Sequence, residues 1–162
     1  MEEHTMTQTM VLPAIPGSRK RVTSATEMTR VRDQALENQP RIVLIDDDPV
    51  YGAVIGRWAQ IEGVELDVFH SLDDLGFVGL LAQYDVAIVD YDLGEINGKD
   101  VADYMTTLFG NKPMIMISGV DRSQEMMACP SCVKAFMKKS AGYEKILNTA
   151  LSVRRKTRTE GF

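Results

Sequence analysis

Carboxylates end two apolar runs of this 162-residue chain. Ile42-Val43-Leu44-Ile45 leads into Asp46-Asp47-Asp48, and Val86-Ala87-Ile88-Val89 leads into Asp90, followed by Tyr91-Asp92-Leu93-Gly94. If both runs are buried strands of one parallel sheet, their carboxylates meet in an acidic pocket at one sheet edge. Such groups repel one another and raise each other's pKa unless a cation lies among them. A hard divalent cation takes oxygen ligands, and it offsets the charge of a phosphate approached by an aspartate nucleophile. Two further groups suit that chemistry. Ser118 ends Met114–Ile117 with a hydroxyl that can hydrogen-bond a phosphoryl oxygen. Lys139 follows Val133–Met137 with an ammonium that pairs with phosphoryl oxygen as a point charge. Donors aimed at developing charge are the largest catalytic contribution in such sites.

The elements that must position these groups are legible from Arg41 onward. Apolar runs at Ile42–Ile45, Val64–Phe69, Val86–Val89, Met114–Ile117 and Val133–Met137 predict five strands. Helical patterns lie between and after them. Tyr51, Val54, Ile55, Trp58 and Ile61 mark one helix. Ser71 caps a second carrying Leu72, Leu75, Val78 and Leu81. Val101, Tyr104, Met105 and Leu108 mark a third, Asp121 to Ala128 a short fourth stopped near Pro130, and Tyr143, Ile146, Leu147, Ala150 and Leu151 a fifth. Strands alternating with helices imply an α/β fold with a parallel sheet covered on both faces. Right-handed crossovers bring functional residues to the carboxyl ends of the strands, near a switch in strand order.

Size and composition fit one globular domain with length to spare. The formal net charge of -5 argues against general nucleic-acid affinity. Residues 41–150 carry 9 basic against 17 acidic side chains, whereas Arg154, Arg155, Lys156 and Arg158 face only Glu160 in the last stretch. No apolar stretch approaches the ~20 residues of a membrane span, and the N-terminus lacks a secretory pattern. A cytoplasmic protein is expected, in which Cys129 and Cys132 do not form a structural disulfide. Three segments follow: an N-terminal extension over residues 1–40, mostly flexible, a domain over 41–153, and a basic tail over 154–162. Within the extension, Ser24-Ala25-Thr26-Glu27 matches a capping box and predicts a helix over residues 25–38.

The motifs in this order resemble the receiver domain of bacterial two-component response regulators, over about residues 41–153. The matching pieces are Ile42 to Pro49, Tyr84 to Gly94 with Asn97-Gly98, Met114 to Gly119, and Phe136-Met137-Lys138-Lys139. The resemblance implies a flavodoxin-like, doubly wound sheet of five strands with five helices and strand order 2-1-3-4-5. It implies that Asp90 is the phosphoacceptor. Asp47 and Asp90 would ligate Mg²⁺ directly, Asp46 through water, and the backbone carbonyl of Asp92 would complete the protein ligands. Ser118 and Lys139 would contact the phosphoryl group, and Ser118 and Phe136 would form the switch. The donor would be a sensor histidine kinase or a histidine phosphotransfer protein. Output would pass to a downstream protein, with no DNA-binding domain and no membrane span, and a homodimer is compatible with this arrangement. No enzymatic activity is expected beyond self-phosphorylation and autodephosphorylation at Asp90. The chain departs from the family at Ser140, where a proline usually follows the lysine in a cis bond, and at Asp92, which adds a carboxylate near the site.

Plainer readings exist for several residues. Asp48 before Pro49 suits a helix N-cap. Phe136 can be packing alone. Cys129-Pro130-Ser131-Cys132 has redox or zinc half-site spacing, but supplies only two of zinc's usual four ligands, so it reads as loop. His70 reads as a surface residue. Two other functions compete. A haloacid-dehalogenase-like phosphatase also uses an Asp nucleophile, Mg²⁺, a Ser or Thr and a Lys, but its acidic pair follows the lysine in sequence. A receiver-like binding module would signal without phosphorylation.

Overall fold

The structure is a computed structural model, and it describes residues 39–75 and 83–160. The expected helix over 25–38 and the rest of the 1–40 extension up to residue 38 lie outside the described residues. The elements run β1 (Arg41–Ile45), α1 (Pro49–Ile61), β2 (Glu65–Phe69), β3 (Val86–Asp90), β4 (Asp92–Leu93), β5 (Ile96–Asn97), α2 (Gly98–Phe109), β6 (Met114–Ser118), β7 (Val133–Lys138) and α3 (Tyr143–Glu160). Short 3-10 turns occupy Asp73–Leu75, Ser123–Ala128 and Lys139–Ala141.

β-branched and apolar residues in the central runs produce strands buried on both faces. β1, β3 and β6 are buried almost throughout. Alternation divides their side chains between two layers. Ile42, Leu44, Val86, Ile88, Ile115 and Ile117 pack toward Tyr51, Ile55 and Ala59 of α1 and Ile146, Leu147 and Ala150 of α3. Val43, Ile45, Ala87, Val89, Met114 and Met116 pack toward Val101, Ala102 and Met105 of α2. Each fully buried Ile or Leu contributes roughly 1.5–3 kcal/mol.

The five long strands form one parallel sheet in the order β2-β1-β3-β6-β7. This is the expected 2-1-3-4-5 order, since β6 and β7 are the fourth and fifth long strands. The chain leaves β1 outward to β2 and returns to β3 on β1's other side. The switch point therefore lies between β1 and β3, above Asp46 and Asp90. A small antiparallel hairpin, β4–β5, was not expected. Gly94 turns it with φ +60°, a value that favours glycine.

Two helical expectations change in detail. Ser71 does accept a backbone bond from Asp74 at 3.1 Å, but the described part of that segment holds only the Asp73–Leu75 turn, and residues 76–81 lie outside the description. The fourth helix is the 3-10 turn Ser123–Ala128. Asp121 draws in the Ser123 N–H and hydroxyl, and Pro130 follows closely, leaving room for i→i−3 bonds only. Burial within the apolar stripes that mark the helices is uneven. Tyr104 is 51% exposed and Ile61 73% exposed, while the buried stripe of α1 is Tyr51, Gly52, Ile55 and Ala59. α3 runs unbroken through Arg154 to Glu160, into the stretch read as a basic tail.

Candidate functional site

Asp46 follows β1, Asp90 ends β3, Ser118 ends β6, and Lys139 follows β7. The parallel register puts all four at one edge of the sheet. Asp46 and Ser118 are fully buried and Asp90 is 3% exposed. Local structure fixes the acidic turn. Asp48 caps α1 by accepting the N–H groups of Val50 at 2.9 Å and Tyr51 at 3.2 Å, as expected of an Asp before a Pro at the helix start. Asp46 Oδ1 accepts the Asp48 N–H at 3.0 Å, and His70 Nδ1 lies 3.0 Å from the Asp46 carbonyl. Asp47, between them, is exposed.

The Lys139 ammonium bridges the two buried carboxylates. It donates to Asp90 Oδ2 at 2.6 Å and to Asp46 Oδ1 at 3.0 Å. Asp46 Oδ2 is 2.8 Å from Nζ, yet that buried oxygen makes no well-aligned hydrogen bond, so the contact is ionic only. The ammonium also lies 4.7 Å from the centre of the Tyr51 ring, a cation–π contact. No cis peptide bond occurs among the described residues, so Lys139–Ser140 is trans, and the lysine reaches both carboxylates all the same.

Burial pushes the Asp46 and Asp90 carboxyls above the ordinary carboxylate value, against the hydrogen bonds from Lys139 that favour their charged forms. Burial alone would lower the Lys139 pKa, but its bonds to both carboxylates outweigh this and raise it. Burial, and then the neighbouring Asp46, pushes the Tyr51 hydroxyl upward. The site is thus a charged cluster under strain, with one cation for two buried anions and a third carboxylate alongside.

Asp46, Asp47 and Asp90 each offer an oxygen, and these atoms lie within 4.8 Å of one another. Three hard oxygen donors in that span fit Mg²⁺ or Ca²⁺.

Ser118 and Asp92 share a contact that their sequence positions do not announce. Asp92 was weighed for its main-chain carbonyl and as an added carboxylate near the site. Its side chain in fact accepts the Ser118 hydroxyl at 2.8 Å and binds the Arg122 guanidinium at 2.6 Å and 3.3 Å. Arg122 stacks 4.8 Å over Tyr91, and Tyr91 packs against Phe136 with ring centres 5.5 Å apart. Phe136 is half-buried against the α2 layer. Sequence reasoning missed Arg122 altogether and treated Tyr51 only as helix packing. Neither carries a spacing signal, because each joins the site from a different element. Cys129 and Cys132 are free thiols, and the Cys132 sulfur lies 3.1 Å from the Thr106 hydroxyl, away from the carboxylates.

No family model matches the sequence, and no curated protein is similar to it. Solved structures are similar. A CheY-like response regulator receiver domain protein from Methanospirillum hungatei matches with TM-score 0.64 at 17% identity, over 76% of this chain and 99% of that one. The chain has the fold of response-regulator receiver domains. The response regulator TrrA from Thermotoga maritima, in complex with Mg²⁺ and beryllofluoride, matches with TM-score 0.61 at 18% identity, over 71% of this chain and 99% of that one. A Burkholderia pseudomallei response regulator with a phosphorylated aspartic acid, a calcium ion and citrate matches with TM-score 0.61 at 17% identity, over 76% of this chain and 73% of that one. Among the described residues, no helix is long and apolar enough to cross a membrane.

Proposed function

We propose that this receiver fold is a phosphorylatable response regulator module, with Asp90 as its phosphoacceptor. The observation that carries the reading is the Lys139 ammonium bridging buried Asp46 and Asp90, with Asp47 completing an oxygen triad. A carboxylate oxygen of Asp90 would attack the phosphorus of a phosphohistidine on a sensor kinase or phosphotransfer protein. The P–O bond forms as the N–P bond breaks, and the departing imidazole nitrogen takes up a proton from solvent. Asp46, Asp47, Asp90 and the Asp92 main-chain carbonyl would hold Mg²⁺, which would supply positive charge beside the phosphoryl oxygens. Lys139 would exchange an Asp90 oxygen for a phosphoryl oxygen, and Ser118 would donate to another.

The module would act on no other substrate, and would signal from the cytoplasm through protein contacts by shifting a pre-existing equilibrium. The position of the acidic pair before the acceptor strand supports this reading over the phosphatase one.

Intact mass after incubation with acetyl phosphate and Mg²⁺ tests it. A metal-dependent phosphoryl adduct is expected in the wild type and not in Asp90→Asn. If wild type yields neither adduct nor beryllofluoride binding, the reading is wrong, and a module that signals without phosphate takes its place.

A further inference from the structure

Ser118 has one hydroxyl proton, and the structure shows where it is spent. The hydroxyl donates to Asp92 Oδ2 at 2.8 Å and accepts the Val120 N–H at 3.2 Å. Its capacity to donate is therefore used up. Asp92, at the start of β4, is itself held: Arg122 grips both its oxygens, and Tyr91 backs the guanidinium. Asp92 of the hairpin and the Val120 N–H thus meet at a single hydroxyl, with Arg122 and Tyr91 ranged behind Asp92.

We propose that Asp92, braced by Arg122, is a positioning residue that competes with a phosphoryl group for the Ser118 proton. The inference rests on the phosphoacceptor reading of Asp90. In the resting chain the proton is given to Asp92. An anion arriving at Asp90 can receive it only if the Ser118–Asp92 bond breaks. That exchange sets a threshold for capture. It also frees an Asp92–Arg122 pair that is stacked on Tyr91 and, through it, on Phe136. Asp92 is partly exposed, at 45% of its side chain, so the threshold is modest. The net worth of one such hydrogen bond corresponds to a factor of about 3 to 10 in an equilibrium constant.

The test is a four-protein cycle: wild type, Asp92→Ala, Ser118→Ala and the double variant. Alanine at 92 keeps the main-chain carbonyl. Each protein is titrated with beryllofluoride in the presence of Mg²⁺, and the Val120 backbone amide is followed by NMR. Asp92→Ala is expected to tighten beryllofluoride binding about 3- to 10-fold, and to shift the Val120 amide before any ligand is added. In the Ser118→Ala background the gain is expected to disappear. An equal gain in both backgrounds would mean that Asp92 acts only through its negative charge, and would overturn the proposal. No gain, or an unmoved Val120 amide in ligand-free Asp92→Ala, would overturn it too. If none of the four proteins binds beryllofluoride, the phosphoacceptor reading fails and takes the competition with it; binding in wild type without coupling sinks the competition alone.

Discussion

At the scale of residues, Lys139 has the largest electrostatic task. It is the cation that makes two buried carboxylates tolerable at the end of a sheet. Removing one partner of a buried ionic cluster leaves the others uncompensated. Lys139→Ala is therefore expected to lose about 2–3 kcal/mol, less than a fully enclosed pair would, because the ammonium keeps some contact with water. A divalent cation supplies the missing positive charge. Mg²⁺ should accordingly raise the melting temperature of Lys139→Ala by more than that of wild type, as calorimetry with and without EDTA would reveal. Equal Mg²⁺ effects in the two proteins would mean that the metal does not use these carboxylates. The identities of Asp46, Asp47, Asp90, Ser118 and Lys139 were legible in the sequence because each stands at the end of an apolar run. The partner of Ser118 was not. Asp92 is 26 residues away, on a two-residue strand too short to leave a periodic signal.

At the scale of elements, Gly98 shows how closely the site and its scaffold are joined. It opens α2, donates its N–H to the Tyr91 carbonyl at 2.6 Å, and follows Asn97, which caps the helix by accepting the Asp100 N–H. A Cβ at this position would lie 2.6 Å from Tyr91 Cα and 2.7 Å from the Asp90 carbonyl oxygen. Both are backbone atoms, so neither can swing aside. Gly98→Ala should cost about 1–3 kcal/mol by overpacking. It should also slow adduct formation, because the strand end carrying Asp90 must shift. A variant with normal phosphorylation kinetics would mean that the α2 start moves independently of Asp90. The same element scale shows what helical spacing leaves open. Period 3.6 identifies an apolar stripe but not its width: Tyr104 and Ile61 lie at helical spacing yet are exposed, because only one edge of each stripe meets the sheet.

At the scale of the whole molecule, the two edges of the sheet have separate duties. The carboxyl edge carries the acidic site. At the opposite edge Asp85 ties three distant parts together. It accepts the Arg41 N–H at 3.0 Å and the Arg154 guanidinium at 2.8 Å, with Arg158 at 3.6 Å. The start of β1, the start of β3 and the last turns of α3 thereby meet at one carboxylate, and the basic residues beyond 153 help to hold the fold. Asp85→Ala is expected to destabilise by about 2 kcal/mol through these lost charge-assisted bonds. Hydrogen exchange should show fraying of α3 from Arg154 onward, while the adduct proposed at Asp90 still forms with acetyl phosphate and Mg²⁺. Loss of the adduct in a folded Asp85→Ala protein would show that the two edges are coupled.

The sequence by itself determined the parallel sheet layered with helices and the carboxylates at its strand ends, while the strand order followed from the resemblance to receiver domains. Buried parallel strands need continuous apolar runs, amphipathic helices need their own period, and polar groups collect where the runs stop; all three are local patterns. Tertiary structure decided the pairings: Lys139 with Asp46 across 93 residues, Ser118 with Asp92, Arg122 with Asp92 and Tyr91, and Arg154 with Asp85. Those contacts depend on sheet register and on the angle at which each loop leaves its strand. Such quantities emerge only when the layers pack, so no spacing along the chain encodes them.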